Sequence, residues 1–510
     1  MNLSKQKRIC RILAPMLIVT SILSACGNGD ETAPSPSAGG TAEMTTVKPA
    51  DASALKPYEL QLYFGGSSPR DTELVEKEIN KYLQKKINAT VKLNFVPFGD
   101  ISTKIPVLLA SGQKIDVLFT DNGYYSSLAS KGALTPVNDL LSKYGPDAQK
   151  SMYSRFLELT KINGKNYAIQ NPKEIASQYG WRINTDLAKK QGIDVSSVNS
   201  IMGLGSALKQ MKEKDPTMNA IEPNSRVAWY VPFDYVLNDA VPFGMVYEPK
   251  ATDGKIVDMW ETPESKKALA QAREFYKAGY VRPDVATYKR PAGEDQAGKW
   301  LAGLMIGIPA ADVIWSNNTG LKVSYAPIEK PVVNTSSIEG SMLSIPTTSQ
   351  DPERAMMFIN LLHGDVFLHN LFVYGIEGTH YTKVARSNNV IKLLPAFKEG
   401  WKPAWYMFGN GFQTYLTEDD PSDKWDQFQK FNDSSIVSPL VGFTFDPTPV
   451  QNEIAAITNI SAEIKAPLTT GSVDPDEFLP KAIAKLKAAG SDKVIAEMQK
   501  QFDAYKATMK

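Results

Sequence analysis

"KIDVLFTDNGYYSSLASKGAL" (residues 114–134) sets a short apolar run, a polar turn and a helix-like segment in immediate succession. The run "IDVLFTD" is too short for a helix and reads as a buried strand. Asp121-Asn122-Gly123 punctuates it, and the segment from Tyr124 onward reads as a helix. A strand feeding directly into a helix is the unit from which helix-covered parallel sheets are built.

The residues before this stretch repeat the unit. "YELQLYFGG" (58–66) reads as a strand followed by Gly65 and Gly66, with Ser68-Pro69 placed to start a helix and Asp71 in its first turn. Val75, Ile79, Tyr82 and Leu83 give that helix an apolar face, and Val91, Leu93 and Phe95 alternate along the next strand. Ile101, Ile105, Leu108 and Leu109 mark a further helix ended by Gly112. The β-α-β-α-β order predicts a mainly parallel, doubly wound sheet. Ligands of such sheets sit beyond the carboxyl ends of the strands, here residues 64–67 and 120–124.

Downstream, Asn163-Gly164 predicts a tight hairpin. "NPKEIASQYG" (171–180) is polar and irregular, and "WRINTDLAKKQGID" (181–194) opens a second αβ unit. Two crossings between lobes are expected, near 170–180 (Asn171-Pro172) and near 325–338 (Pro327, Pro331). The C-terminus reads as helical. Phe478, Leu479, Ile483 and Leu486 line one stretch, and Val494, Ile495, Met498, Phe502 and Tyr505 line another after Gly490-Ser491. The expected boundaries are lobe 1 at about 57–169 plus 325–350, lobe 2 at about 180–320 plus 355–430, and a C-terminal region at about 435–510.

The N-terminus has a different grammar. Lys5, Lys7, Arg8 and Arg11 precede an apolar run from Ile12 to Leu23. As a helix that run would extend about 18 Å, against roughly 30 Å of hydrocarbon, which fits an export signal better than a membrane span. Residues 27–56 are dominated by Gly, Ala, Ser, Thr and Pro, with no Ile or aromatic, and read as a tether. Between them, Leu23-Ser24-Ala25-Cys26 resembles the lipobox of bacterial lipoproteins. The chain has 2 cysteines, and cleavage before Cys26 would remove Cys10, so the mature chain could form no internal disulfide. Cleavage also removes four positive charges. The mature balance is then slightly acidic, without the basic excess nucleic-acid binding requires.

Taken in order, the lipobox, "KIDVLFTDNGYYSSLASKGALTPVNDLL", "NGKNYAIQNPKEIASQYGWRINTDLAKKQGI", "KWLAGLMIGIP" and "IEGSMLSIPTTSQDPERAMMFINLL" resemble the extracellular solute-binding lipoproteins of ABC importers, in their oligosaccharide-binding branch. "VYGIEGTHY" and "GFTFDPTPVQNEIAAITNI" resemble the LipO-type members, which carry a C-terminal domain of uncharacterised role. The resemblance implies an α/β fold of two lobes (type II), a ligand cleft between them and a hinge. It implies a monomer on the extracellular face of a Gram-positive cell membrane, held by lipid on Cys26, with no cofactor. The implied partners are an oligosaccharide, the permease subunits and their ATPase.

Candidate ligand-binding residues follow from the strand ends and the resemblance. Asp121 and Asn122 could exchange hydrogen bonds with sugar hydroxyls, and Tyr124 could cover an apolar sugar face, although Asp-Asn-Gly also makes a plain solvated turn. Trp181 and Arg182 open the second unit, where Trp181 stacks on ligand or packs the hinge and Arg182 could pair with a uronate. Trp315 follows the "LMIGIP" strand, Glu339 lies at the return into lobe 1, and Glu377 and His380 lie in "YGIEGTHY". Trp229-Tyr230 and Trp260 fit a core or a site equally. No HExxH, P-loop or EF-hand loop is present, and His363, His369 and His380 lack zinc-ligand spacing. A glycoside hydrolase, which needs only two suitably spaced carboxylates, stays open as an alternative. So does an anchored sugar sensor or adhesin.

Overall fold

In the computed structural model the described residues are 54–162, 164–199, 201–222, 230–247, 254–291, 293–385, 387 and 389–508. The export signal, Cys26, residues 27–53 of the tether, Asn163 and Trp229 lie outside them. The described residues belong to one compact unit.

Strand Tyr58–Gly65 pairs in parallel with Ala89–Val96 on one side and Val117–Thr120 on the other. Met342–Ser344 and Ala168–Gln170 extend this sheet to five strands, Met342–Ser344 running antiparallel to both its neighbours. The pattern at 114–134 thus becomes a buried strand, a turn and the short helix Tyr125–Ser130. Helix Thr72–Ile87 buries Val75, Ile79, Leu83 and Ile87 on this sheet. It begins later than Ser68-Pro69, because the Thr72 hydroxyl donates to the Pro69 carbonyl (2.6 Å) and closes a turn ahead of the helix.

The segment 355–430 was expected in lobe 2, and the structure places it in lobe 1. Helices Pro352–Gly364 and Val366–Tyr374 bring Phe358 and Phe372 into the same core as Phe64 and Phe119. Phe64 meets Phe408 edge-on, with ring centroids 4.9 Å apart. An amphipathic pattern states that a helix has a buried face; it does not state which sheet receives it.

Lobe 2 holds a three-stranded antiparallel sheet in the order Val323–Pro327, Gln178–Asn184, Ala302–Gly307. Residues 325–327, assigned from sequence to lobe 1, therefore belong here. Trp181, Ile183, Leu208, Met211, Leu304 and Phe275 form its core. A third core joins the small sheet of Phe233–Tyr235, Phe243–Val246 and Val257–Asp258 to the C-terminal helices Gln451–Thr469, Pro475–Ala488 and Ser491–Thr508. Met245, Trp260 and Leu269 pack there with Leu486, Met498 and Phe502, so the C-terminal region shares a core with a segment of lobe 2.

Among the described residues, three crossings join the lobes. Residues 171–177 lead from Gln170 to Gln178, residues 328–341 return from Pro327 to Met342, and the chain crosses again through Ile436–Val437. They lie side by side: Ser177 bridges Val332, and Val332–Val333 pairs in parallel with Ile436–Val437. Buried Asn432 accepts from the Ile175 and Ala176 amides (2.9 and 3.3 Å) and donates to the Lys173 carbonyl (2.9 Å).

Candidate functional site

Both lobes turn strand ends toward these crossings. In lobe 1 the parallel register pairs Leu62 with Val117 and Tyr63 with Leu118, and its continuation brings Gly65 level with Thr120; Thr120, Met342 and Gln170 continue the row across neighbouring strands. The first crossing departs from Gln170. Beyond this row stand Asp121 and Glu339. The Asp121 carboxylate accepts from the Gly123 amide (2.8 Å), and partial burial raises its pKa against that bond. Glu339 is buried, and burial, reinforced by the Asp121 charge, pushes its carboxyl up to about 8. A carboxyl held protonated at neutral pH can both donate and accept, which suits sugar hydroxyls.

Asn171 and Ser341 lock the rim of this row. The Asn171 amide donates to the Ser341 hydroxyl (3.0 Å), which donates to the Tyr406 carbonyl (2.6 Å). Tyr406 is half-buried, and burial followed by the nearby Asp121 charge raises its phenol pKa. Trp405 and Trp425 stand beside it, also half-buried, 5.9 Å apart between ring centroids. A Cβ at Gly411 would press on both the Trp405 ring and the Pro172 carbonyl, so Trp405 borders the first crossing.

In lobe 2, Gln178 follows directly on the crossing and pairs with Gly307. The carboxyl end of strand Ala302–Gly307 is therefore the end nearest the crossings. The chain turns there through Ala310, at φ 61°, into helix Ala311–Thr319, which carries Trp315. Trp315 is half-buried and meets Tyr325 edge-on, centroids 5.4 Å apart. Tyr325 donates to the Gln178 carbonyl (2.8 Å), and its ring occupies space that a Cβ at Gly180 or Gly307 would overlap. Ile306 and Ile314 are exposed nearby. Glu329, at the start of the second crossing, accepts from the Tyr179 amide (2.7 Å) and from the Tyr230 and Tyr247 hydroxyls. Burial pushes its carboxyl up to about 8.

Two αβ lobes, strand ends facing a set of paired crossings and half-exposed aromatics on both sides describe a hinged ligand receptor. Residues 66–365 match the family model described as bacterial extracellular solute-binding protein. The chain belongs to that family. Residues 439–507 of this solute-binding protein match a second model, a domain of unknown function (DUF3502). A carbohydrate ABC transporter substrate-binding protein of Streptococcus pneumoniae is 30% identical over 96% of this chain and 97% of its own length. Lipoprotein LipO of Bacillus subtilis is 24% identical over 47% of each chain. The crystal structure of the N-glycan transport solute-binding protein NgtS from S. pneumoniae matches 89% of this chain and all of its own, at 30% identity and TM-score 0.81. Its complex with Man5GlcNAc covers the same 89% of this chain at TM-score 0.66.

The candidates separate within the solute-binding protein's frame. Asp121, exposed Asn122 and Glu339 come together at the lobe 1 strand ends, and Trp315 stands at the facing end of lobe 2. Tyr124 does not join them: it is buried in the lobe 1 core and its hydroxyl donates to the Phe119 carbonyl. Trp181 is fully buried in the lobe 2 core, where no ring face is open to a ligand. Arg182 is buried too, bonded to Glu222 (2.6 Å) and Asp295 (2.7 Å) and stacked over Trp300, so its charge is already matched. Glu377 is exposed and paired with Lys383 (3.5 Å). His380 is buried, accepts from the Ile376 amide and contacts Asp71 (3.2 Å), tying "YGIEGTHY" to the start of helix Thr72–Ile87.

Trp405, Tyr406, Trp425 and Tyr325 escaped the sequence reading. The run "WKPAWYMFGNGF" (401–412) is dense in aromatics, but Trp401 and Phe408 of the same run are core. Composition therefore marks the segment without separating its two roles.

Proposed function

We propose that this solute-binding protein captures an uncharged oligosaccharide between its lobes for an ABC importer, anchored by lipid on Cys26 at the outer face of the membrane. The arrangement of half-exposed aromatics and carboxyls on opposite sides of three paired crossings carries the reading. Trp315 and Tyr325 on one lobe, and Trp405 and Tyr406 on the other, offer ring faces for sugar C–H surfaces, while Asp121 and Glu339 address hydroxyls. The Asp121 carboxylate disfavours an acidic sugar. The one arginine that invited a uronate, Arg182, is held by Glu222 and Asp295.

Hinge closure is supported by the comparison with NgtS. Over nearly the same share of this chain, the score is 0.81 for the structure described without naming a ligand, and 0.69 and 0.66 for those with Man1GlcNAc and Man5GlcNAc. A ligand-dependent change in the lobe arrangement of that relative would give such a difference. Ligand that touches both lobes favours the closed state. Capture and handover need no bond cleavage, so a glycan should leave the protein intact, and the chain acts as a monomer beside its permease.

The deciding experiment titrates Man1GlcNAc, Man5GlcNAc and neutral malto- and xylo-oligosaccharides against uronate-bearing counterparts. The readouts are calorimetry, small-angle scattering and mass analysis of the recovered sugar. Binding of a neutral glycan with a reduced radius of gyration and an unaltered mass is expected. A shortened sugar would establish a glycoside hydrolase. Tighter binding of the uronates would overturn the uncharged-ligand reading.

A further inference from the structure

We propose that Phe98 forms an outer stacking subsite for a sugar ring of an extended glycan, so that lobe 1 discriminates ligand length. The inference rests on the carbohydrate reading above and goes beyond it by assigning a residue and a chain-length dependence.

Phe98 opens helix Phe98–Ala110, directly after strand Ala89–Val96 and Pro97. It therefore stands at the carboxyl edge of the five-stranded sheet, where Gly65 pairs with Val96. Its ring lies on the backbone of Gly65-Gly66. A Cβ at Gly65 would overlap the ring, and one at Gly66 would stand 3.7 Å from it. Gly66 has φ 119°, which excludes ordinary side chains, and its amide donates to the Val96 carbonyl (2.8 Å). The glycine pair thus makes a seat for one side of the ring. The residue remains 46% exposed and has no ring partner among the described residues. Exposed Phe367, by contrast, stacks on Tyr82 at 4.9 Å.

The sheet register fixes what Phe98 is continuous with. Gly65, Thr120, Met342 and Gln170 end four adjacent strands, a row about 14 Å long at the usual strand spacing. Phe98 stands over the first position. Asp121 and Glu339 lie beyond the middle, and Tyr406 and Trp405 lie at the far end by Ser341 and Pro172. A ligand held at the carboxyls reaches Phe98 only if it continues past them. An apolar ring seated on peptide, with no charge of its own, suits the C–H face of a pyranose.

The test compares Phe98→Ala and Phe98→Trp with the unaltered protein. Each is titrated with Man1GlcNAc and Man5GlcNAc, and with neutral malto- and xylo-oligosaccharides of short and long chain. Phe98→Ala should weaken the longer member of a bound series by roughly three- to tenfold, leave the shorter one unchanged, and keep the melting temperature. Phe98→Trp should retain long-glycan affinity. Equal weakening of short and long ligands, or none for the long one, overturns the subsite. Unchanged affinity with slowed uptake in cells would assign the ring to the permease and also overturn it. If the unaltered protein binds none of these sugars, the carbohydrate reading itself falls, a result distinct from the others.

Discussion

Ser177 and Val332 each donate a backbone hydrogen bond to the other, at 2.9 and 2.8 Å, and so clamp the first crossing to the second. Val332 also starts the pair that joins the third crossing, so one residue connects all three. Asn432 adds the side-chain tie. Asn432→Ala leaves the buried Ile175 and Ala176 amides without that acceptor, and each such loss costs about 1–3 kcal/mol. We expect about 2–3 kcal/mol less stability in urea titrations, with the fold retained. A variant as stable as the parent would show that water replaces the carboxamide.

Two tryptophans should separate core from site. Trp181 is fully buried, so Trp181→Ala should cost about 3–5 kcal/mol of stability. Trp315→Ala removes a half-exposed ring. It should leave the melting temperature nearly unchanged and weaken glycan binding by about 1 kcal/mol. Calorimetry beside thermal melts distinguishes the two, and loss of binding without loss of stability at Trp181 would reverse the assignment.

Stability should depend on pH through buried groups of opposite kinds. Burial pushes the Glu339 and Glu329 carboxyls up to about 8, Asp258 to about 7 and Asp234 to about 6. A carboxyl that holds its proton more tightly when folded gives stability that is complete below its unfolded pKa and is lost as pH rises through the folded value. For Glu339 that window runs from 4.5 to about 8. His363 and His369 act in the other direction, held neutral down to about 3 and 4, so their stability is lost as pH falls below 6.5. Without ligand, Glu339→Gln should therefore raise the melting temperature more at about pH 9 than at about pH 5. A pH-independent offset would contradict the buried-carboxyl account.

Anchoring should depend on one atom. Cys26→Ser removes the thiol proposed to accept lipid, and the tether of residues 27–56 has too little apolar surface to hold a membrane by itself. Fractionation of labelled cells should find the variant in the medium or as an uncleaved precursor. Continued acyl labelling at the membrane would refute the anchor.

Periodicity and punctuation determined much of this protein. The strand-helix alternation from Tyr58 onward and the crossings around Asn171-Pro172 and Pro331 were legible because backbone geometry imposes local patterns on side chains. Asp121 could be placed at a strand end for the same reason. Tertiary structure alone decided partnership. Helices 352–374 joined lobe 1 rather than lobe 2, and the C-terminal helices shared a core with residues 231–269. The same held for the site. Trp181 and Trp315 look alike in sequence, yet one lies in the core and the other stands half-exposed at the strand ends. Arg182 lost its expected role to Glu222 and Asp295, both distant along the chain. Hydrophobic burial and charge pairing are non-directional along sequence, so they record that a residue needs a partner without recording which one.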